Sequence, residues 1–199
     1  WLDVVVVGTD GHAGTTPLEH RKDALLATAR MIARLNEVGR SFGPDARVSV
    51  GRISTATNGP STIVGESSFV IDIRHPDVAT LARLGENCAT TCRDVAAESD
   101  CLVTLTERIS VAPRMFDDSC ITALEGAAED MGFSNLRMAS GALHDASNIA
   151  SVVPTAMIFV PCRDGISHNV KEYASPNDLA AGATVLLHAM LKKAGLSGG

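Results

Sequence analysis

The sequence predicts two parts of different fold class, an α+β unit over residues 1–112 and part of an α/β unit over residues 113–199. In the first part the order is strand, helix, strand, strand, helix, strand, which is that of a ferredoxin-like split βαβ motif. In the second part, residues 155–160 are apolar on both alternating faces, a pattern typical of a strand buried in a parallel sheet. We place the boundary where the pattern changes, at Ala112 and Pro113.

The first strand and the first helix flank a glycine-rich loop. Residues 3–8 contain four valines and predict a strand. Thr16, Pro17 and Glu19 supply three helix-start signals: a capping hydroxyl, a proline for the first helical position and a carboxylate that completes a capping box. We therefore expect a helix that starts there and ends at Gly39. Its buried stripe is predicted to contain Leu25, Ile32 and Leu35.

Two strands, a helix and a last strand complete the first part. Residues 47–54 and 67–74 alternate in polarity, and a turn is predicted at residues 57–61 between them. A helix follows over about residues 77–99, and then a strand over residues 102–108. The apolar stripe of that helix consists of Leu81, Leu84, Cys88, Cys92 and Val95. This order predicts a mostly antiparallel four-stranded sheet with two helices on one face.

The second part is predicted to contain three helices and two strands. The helices cover residues 119–131, residues 149–153 and a segment that begins at Ser175, and the strands cover residues 135–138 and 155–160. The last helix is predicted to bury Leu179, Ala183, Leu186 and Met190 and to end at Gly195. A strand that is apolar on both faces needs further strands and helices on both sides. We therefore expect the missing part to come from a preceding segment, another chain or an exchange between copies.

Composition and charge exclude several classes of function. The hydrophobic fraction of 45% is ordinary for a globular protein, and a net charge of -6 with no basic block disfavours binding to nucleic acid or to an anionic membrane. The longest apolar runs have the length of strands, so no membrane span is predicted. Five cysteines in no regular motif argue against a disulfide framework and favour the cytoplasm. Because the chain starts with Trp1 and not Met, we expect the natural protein to be longer.

Two polar loops flank residues 155–160. His144 and Asp145 precede this segment, and His168 follows it, with Glu172 four residues further on. Because sites in α/β sheets cluster at the carboxyl ends of strands, His168 is a candidate metal ligand. A surface-loop histidine is the alternative interpretation.

Four motifs resemble the metal-dependent amidohydrolases of the aminoacylase and carboxypeptidase superfamily. They are Gly-Thr-Asp-Gly-His-Ala-Gly-Thr-Thr-Pro at residues 8–17, Asp-Ile-Arg-His at residues 72–75, Ser-Gly-Ala-Leu-His-Asp-Ala at residues 140–146, and Gly-Ile-Ser-His-Asn at residues 165–169 followed by Glu172. The branch they resemble most is that of the N-carbamoyl-L-amino-acid hydrolases and allantoate amidohydrolases. The resemblance covers essentially the whole of this chain but only the later part of the sequences of the family's members. It implies a lid and dimerisation domain followed by the C-terminal part of a metallo-hydrolase catalytic domain.

The resemblance also implies roles for individual residues. His12 would polarise the scissile carbonyl and stabilise the oxyanion, usually in the active site of a partner subunit; a loop histidine bonded to nearby backbone is the alternative. Arg74 would grip a substrate carboxylate through two parallel hydrogen bonds, and a salt bridge to Asp72 or Asp77 is the alternative. Further substrate contacts are implied for Asn58, Ser61, Gly141 and His144.

The metal site that the resemblance implies is incomplete in this chain. His168 corresponds to one ligand, with zinc preferred and manganese, cobalt or nickel possible. The family's other ligands are a His-x-Asp segment, an acidic pair and another histidine, and all of them lie upstream of the first motif found here. The acidic general base is absent as well. We therefore expect the chain alone to be inactive, since two-metal hydrolysis needs those groups to generate hydroxide.

Two hypotheses for function follow. The first is a hydrolase of a carbamoyl C–N bond in a small carboxylate substrate, either an N-carbamoyl amino acid or a ureido acid such as allantoate. The alternative is a non-catalytic dimerisation or ligand-binding module without the metal-binding half. Ser61 and Leu143 depart from the branch's usual residues, which leaves substrate identity more open than reaction class. Exposed sheet edges predict a homodimer through residues 1–112.

Overall fold

The computed structural model describes residues 1–195 and shows a mixed α/β chain with five α-helices in that range. It divides into two compact units, Trp1–Pro113 and a second unit that begins at Arg114. No helix in the described residues has the length and hydropathy needed to cross a membrane.

The first unit contains a four-stranded sheet and a small two-stranded one. The strands of the large sheet are β1 (Leu2–Val7), β3 (Arg47–Thr55), β5 (Glu66–Arg74) and β6 (Leu102–Glu107). They lie in the order β3-β5-β1-β6, and every neighbouring pair is antiparallel. The small sheet pairs β2 (Gly11–His12) with β4 (Thr62–Ile63).

Two helices cover one face of the large sheet, α1 (Ala24–Ser41) and α2 (Val78–Glu98). The alternation of β1 points Val4 and Val6 into the core that the helices share with β5, and both side chains are fully buried. A buried hydroxyl pair also joins α1 to β5: Ser67 Oγ donates to the Ala24 carbonyl at 3.0 Å, and Thr28 Oγ1 lies 2.6 Å from Ser67 Oγ. The polar atoms of the pair are therefore satisfied inside an apolar core.

The start of α1 differs from the prediction. Leu18–His20 form a 3-10 turn, and α1 begins at Ala24, where the Asp23 side chain accepts a hydrogen bond from the Leu26 amide at 2.9 Å. Thr16 does not cap the helix. Its carbonyl accepts from Arg21 Nε at 3.0 Å, which keeps this stretch in a connecting loop.

The buried face and the end of α1 also differ from the prediction. Its buried residues are Ala24, Ala27, Thr28, Met31, Leu35 and Gly39. Leu25 is 38% exposed, because helical spacing places it to the side of the face that carries Ala27, Met31 and Leu35. The helix passes through Gly39 and ends at Ser41. A Cβ on Gly39 would lie 3.1 Å from Val48 Cβ, so the glycine lets α1 approach β3 closely.

The second unit contains α3 (Asp118–Asp130), α4 (Asp145–Ile149) and α5 (Pro176–Lys193). The predicted start of α5 is confirmed, with the Ser175 side chain accepting from the Asp178 amide at 3.1 Å. The buried core of the described part of this unit is small and consists of Ala127, Ala128, Val185 and Ala189, with Leu124 and Ile158 packed against it.

Neither predicted strand of the second unit forms in the described residues. Residues 135–138 are fastened to α3 by side chains, with Arg137 donating to both carboxylate oxygens of Glu125 at 2.6 Å. Residues 155–160 pack on α5, where a Cβ on Gly182 would lie 2.5 Å from Val160 Cγ1. A strand requires a partner backbone, and no described segment of this unit forms a ladder with either stretch. The short helix lies earlier than expected, at α4 instead of residues 149–153.

The predicted stripe of α5 is wrong. Leu179, Leu186 and Met190 are 52%, 48% and 61% exposed, and Ala183 is exposed as well. The buried side carries Val185 and Ala189, which meet the alanines of α3. Helical periodicity identified an apolar face, but α3 packs against a different one.

Candidate active-site residues

The structure brings three of the predicted site residues together at one end of the large sheet. His12 lies in β2 and pairs with Thr62 of β4. The Ala13 amide donates to the Ser61 carbonyl at 2.8 Å, which joins the two loops beyond this pair. Asn58 lies in the same connection, between β3 and β4. His12, Ser61 and Asn58 therefore belong to one loop cluster.

The imidazole of His12 has a defined orientation. Its Nδ1 accepts hydrogen bonds from the backbone amides of Gly14 at 3.0 Å and Thr15 at 3.2 Å. An acceptor nitrogen carries no proton, so the neutral ring holds its proton on Nε2. Because His12 is exposed, its Nε2–H is a hydrogen-bond donor directed away from the local turn.

Two charged residues that sequence reasoning missed hold this loop cluster in place. Asp10 Oδ1 accepts from the Gly65 amide and from Thr57 Oγ1, both at 2.9 Å. Arg21 donates to carbonyls on the other side of His12. The signal that could have identified Asp10 is a carboxylate between glycine-containing loops, in Gly-Thr-Asp-Gly. Arg21 offers no such signal, because its partners are backbone atoms of a loop.

Arg74 lies at the opposite end of the sheet. Its Nε donates to Asp72 Oδ1 at 2.8 Å and its Nη2 to Asp72 Oδ2 at 2.6 Å. The Arg74 guanidinium lowers the pKa of the Asp72 carboxyl below its ordinary value, while partial burial acts in the other direction. The salt bridge to Asp72 that we considered as an alternative is therefore present, and Asp77 instead caps α2.

The positions of His12 and Arg74 limit what one chain can do. Gly8, near His12, donates to the Gly65 carbonyl just before β5 begins, whereas Arg74 is the last residue of β5. Nine residues in an extended strand span roughly 30 Å. A small carboxylate molecule is much shorter than this, so His12 and Arg74 of the same chain cannot contact the same one.

In the second unit, His144 and Gly141 lie on the loop that leads into α4. His144 is the first residue before α4, and its Nε2 lies 2.7 Å from Ser140 Oγ. The ring of His144 also packs at a centroid distance of 5.7 Å from Phe159. Gly141 has a φ of 69°, in the left-handed region that favours glycine. The loop is thus shaped by local contacts of Ser140 and His144.

His168 lies on an exposed loop in a left-handed conformation, with a φ of 56°. Its backbone amide donates to Glu172 Oε2 at 2.8 Å, so this carboxylate shapes the loop. In residues 1–195, no group of three or more histidine, cysteine, aspartate or glutamate side chains is arranged to hold a metal ion. The described residues therefore do not form a complete metal site.

Comparison with known proteins identifies the family. The sequence profile of peptidase family M20/M25/M40 matches residues 12–192. The chain belongs to this family. Its members are generally metal-dependent, and the matched range includes His12, Arg74, His144 and His168.

Relatives of this chain are named as amidohydrolases and amidases. An N-carbamoyl-L-amino-acid amidohydrolase of Rhizobium meliloti is 36% identical over 98% of this chain and 47% of its own length. An allantoate amidohydrolase of Bacillus subtilis is 32% identical over 96% of this chain and 46% of its own length. The crystal structure of an amidase of the hydantoinase/carbamoylase family from Burkholderia vietnamiensis superposes with a TM-score of 0.92 at 40% identity, over 98% of this chain and 47% of that one. The chain thus spans about half the length of these relatives, and the resemblance drawn from the four motifs is confirmed.

Proposed function

We propose that this chain supplies the lid and the C-terminal part of the catalytic domain of a metal-dependent amidohydrolase. The reaction is hydrolysis of a carbamoyl C–N bond in an N-carbamoyl amino acid or in a ureido acid such as allantoate. The names of the relatives support this reaction class, and no observation favours a non-catalytic module.

The observation that carries the proposal is the Nε2–H of His12. Two backbone amides occupy Nδ1 and fix the ring, which leaves the exposed Nε2–H as a donor on a braced loop. Such a donor can bind the carbonyl oxygen of the scissile bond and stabilise the negative charge that develops on it. We assign Asn58 and Ser61, in the same loop cluster, to substrate binding.

The first unit is proposed to be a ferredoxin-like lid that forms a homodimer. Its sheet order and its two helices on one face support the assignment, and β3 and β6 are the edge strands of the sheet. The separation of His12 and Arg74 supports it further, because a substrate that binds both needs them from two copies. Sedimentation at tens of micromolar tests this, and a monomer would contradict it.

We propose that His168 is one metal ligand and that Gly141 and His144 shape the substrate loop. Zinc is the preferred ion, and imidazole also suits manganese, cobalt and nickel. The metal would supply a hydroxide and polarise the substrate carbonyl when bound. The remaining ligands have to lie outside this chain, since three or more protein ligands hold a catalytic zinc. Five free cysteines in the described residues support a cytoplasmic location.

The test compares this chain with the polypeptide that its gene encodes, including any sequence upstream of Trp1. The chain alone should retain no stoichiometric metal after dialysis and should not hydrolyse N-carbamoyl amino acids or allantoate. The gene-encoded polypeptide should hydrolyse one of them, and a chelator should abolish the activity. Turnover by the chain alone would contradict the proposal that the remaining metal ligands lie outside it. Failure of the longer polypeptide to hydrolyse either substrate class would contradict the proposed reaction.

A matched pair of histidine variants tests His12 within this proposal. His12→Gln in the active polypeptide should lower kcat by roughly 10²–10³, the usual loss on removing one oxyanion donor. His20→Gln is the control, because His20 is another exposed histidine of the same unit and lies in the turn before α1. Equal losses in the two variants would contradict the role of His12.

A further inference from the structure

Arg21 is connected to His12 through the backbone. Its Nη2 donates to the Ala13 carbonyl at 2.6 Å, and its Nε donates to the Thr16 carbonyl at 3.0 Å. The peptide that contains the Ala13 carbonyl also contains the Gly14 amide, and this amide donates to His12 Nδ1 at 3.0 Å. One peptide group therefore joins the guanidinium to the imidazole.

This connection affects both geometry and polarity. Hydrogen bonds in a chain polarise one another, so a cation at the carbonyl makes the N–H of the same peptide a stronger donor. The turn is also closed by the Thr16 amide, which donates to the His12 carbonyl at 3.1 Å. With Arg21 bonded to the Ala13 and Thr16 carbonyls, the turn keeps the Gly14 and Thr15 amides directed at Nδ1.

Gly14 is the residue that permits this close packing. A Cβ at this position would lie 3.2 Å from His12 Cε1 and 3.4 Å from Nδ1. A side chain would therefore press on the imidazole and displace the ring or the amide. Because Gly14 has no side chain, its backbone can lie close to the imidazole.

We propose that Arg21 is a positioning residue that holds His12 in the tautomer with the proton on Nε2. The two N–H groups at Nδ1 repel a proton on that nitrogen, and Arg21 keeps them there. The functional meaning rests on the proposed role of His12, which needs Nε2–H as a donor to the substrate. Without Arg21, the ring can also adopt the tautomer in which Nε2 is an acceptor, and that form cannot bind a carbonyl oxygen.

The test reads the tautomer by NMR on this chain, without substrate or metal. Long-range ¹H–¹⁵N correlation of the imidazole, assigned by comparison with His12→Gln and recorded at a pH where the ring is neutral, should show Nδ1 unprotonated and Nε2 protonated in the unmodified chain. Arg21→Ala should populate both tautomers and shift the Gly14 amide resonance. Arg21→Lys keeps the charge but cannot bond to both carbonyls with one planar fork, so it should give an intermediate result.

Arg93→Ala is the matched control. Arg93 is an exposed arginine of α2 that bonds to Glu86, and its removal should leave the His12 spectrum unchanged. If Arg21→Ala does not fold, Arg21→Lys and the spectrum of the unmodified chain carry the test. A protonated Nδ1 in the unmodified chain, or a His12 spectrum in a folded Arg21 variant identical to that of the unmodified chain, would overturn the proposal.

Kinetics in the active polypeptide give a second readout. Arg21→Ala should lower kcat about tenfold with little change in KM, a part of the roughly 10²–10³ lost when an oxyanion donor is removed outright. If the His12 tautomer depends on Arg21 but the gene-encoded polypeptide shows no turnover, the proposed function is rejected and the positioning role of Arg21 stands. If the polypeptide hydrolyses its substrate but the unmodified chain populates both tautomers, the positioning role of Arg21 is rejected and the proposed function stands.

Discussion

The substitution Arg74→Lys separates the two roles that the structure leaves for Arg74. Asp72 takes the edge of the guanidinium formed by Nε and Nη2, with bonds of 2.8 and 2.6 Å. Lysine keeps the charge but cannot form two parallel hydrogen bonds to one carboxylate, nor can it bind two carboxylates in this way.

The expected loss differs between the two roles. A hydrogen bond to a charged group is worth roughly 1.5–3 kcal/mol, so losing one to the substrate should reduce kcat/KM for the acid by about 10- to 150-fold. The ion pair with Asp72 is worth less. The Arg74 and Asp72 side chains are 39% and 27% exposed, and pairs open to solvent contribute about 0.2–1 kcal/mol to stability.

The assay measures kcat/KM of the active polypeptide on a carbamoyl amino acid and on its amide analogue, together with the melting temperature. If Arg74 binds the substrate, Arg74→Lys should lower kcat/KM strongly for the acid and much less for the amide. Arg34→Lys is the control, because Arg34 forms a similar two-bond contact with Glu98, at 2.8 and 2.7 Å, on the helical face of the same unit. If Arg74→Lys lowers kcat/KM equally for the acid and the amide, and its melting temperature falls as in Arg34→Lys, the substrate role is refuted.

Two further predictions concern stability. In Gly65→Ala, a Cβ would lie 2.6 Å from the Asp10 amide nitrogen and 2.7 Å from its Oδ2, so urea unfolding should show a loss of roughly 1–3 kcal/mol. Gly51→Ala, with no atom within 4 Å of its Cβ, is the control, and an equal loss there would contradict the clash. Arg74 lowers the pKa of the Asp72 carboxyl, so their pair stabilises the fold above the ordinary carboxyl pKa, and this contribution is lost as pH falls through the lowered value. The stability difference between the unmodified chain and Asp72→Asn should therefore shrink below about pH 4, and a difference constant down to about pH 2 would refute this.

Local patterns in the sequence determined most of the first unit. The strands predicted at residues 47–54 and 102–108 are observed at Arg47–Thr55 and Leu102–Glu107. The helix predicted over about residues 77–99 is Val78–Glu98, with the Asp77 side chain as its cap. Alternation, helical spacing and capping residues act over a few neighbouring positions, so they can be read without knowledge of the fold. The four motifs likewise sufficed for the family.

Tertiary contacts decided where several elements begin and which of their faces are buried. Thr16, Pro17 and Glu19 form a valid helix start by local criteria, yet Arg21 holds this stretch in a loop and α1 begins seven residues after Pro17, at Ala24. In α5 two faces are apolar enough to be buried, and contact with α3 selected the one with Val185. Residues 155–160 have the composition of a strand but lack a pairing partner in the described chain. The sequence of a segment does not determine whether another segment is present to pair with it.

The site divides in the same way. Spacing on a predicted loop made His168 a candidate, and the resemblance carried by the four motifs implied roles for His12, Arg74 and His144. Only the folded chain shows that His12 lies beside Ser61 and that Arg74 lies at the far end of β5. The reason is that an antiparallel sheet places residues by strand register, so two residues of neighbouring motifs can be separated by the whole length of a strand. The tautomer of His12 depends likewise on backbone amides that a turn directs at its ring, and no residue type predicts that contact.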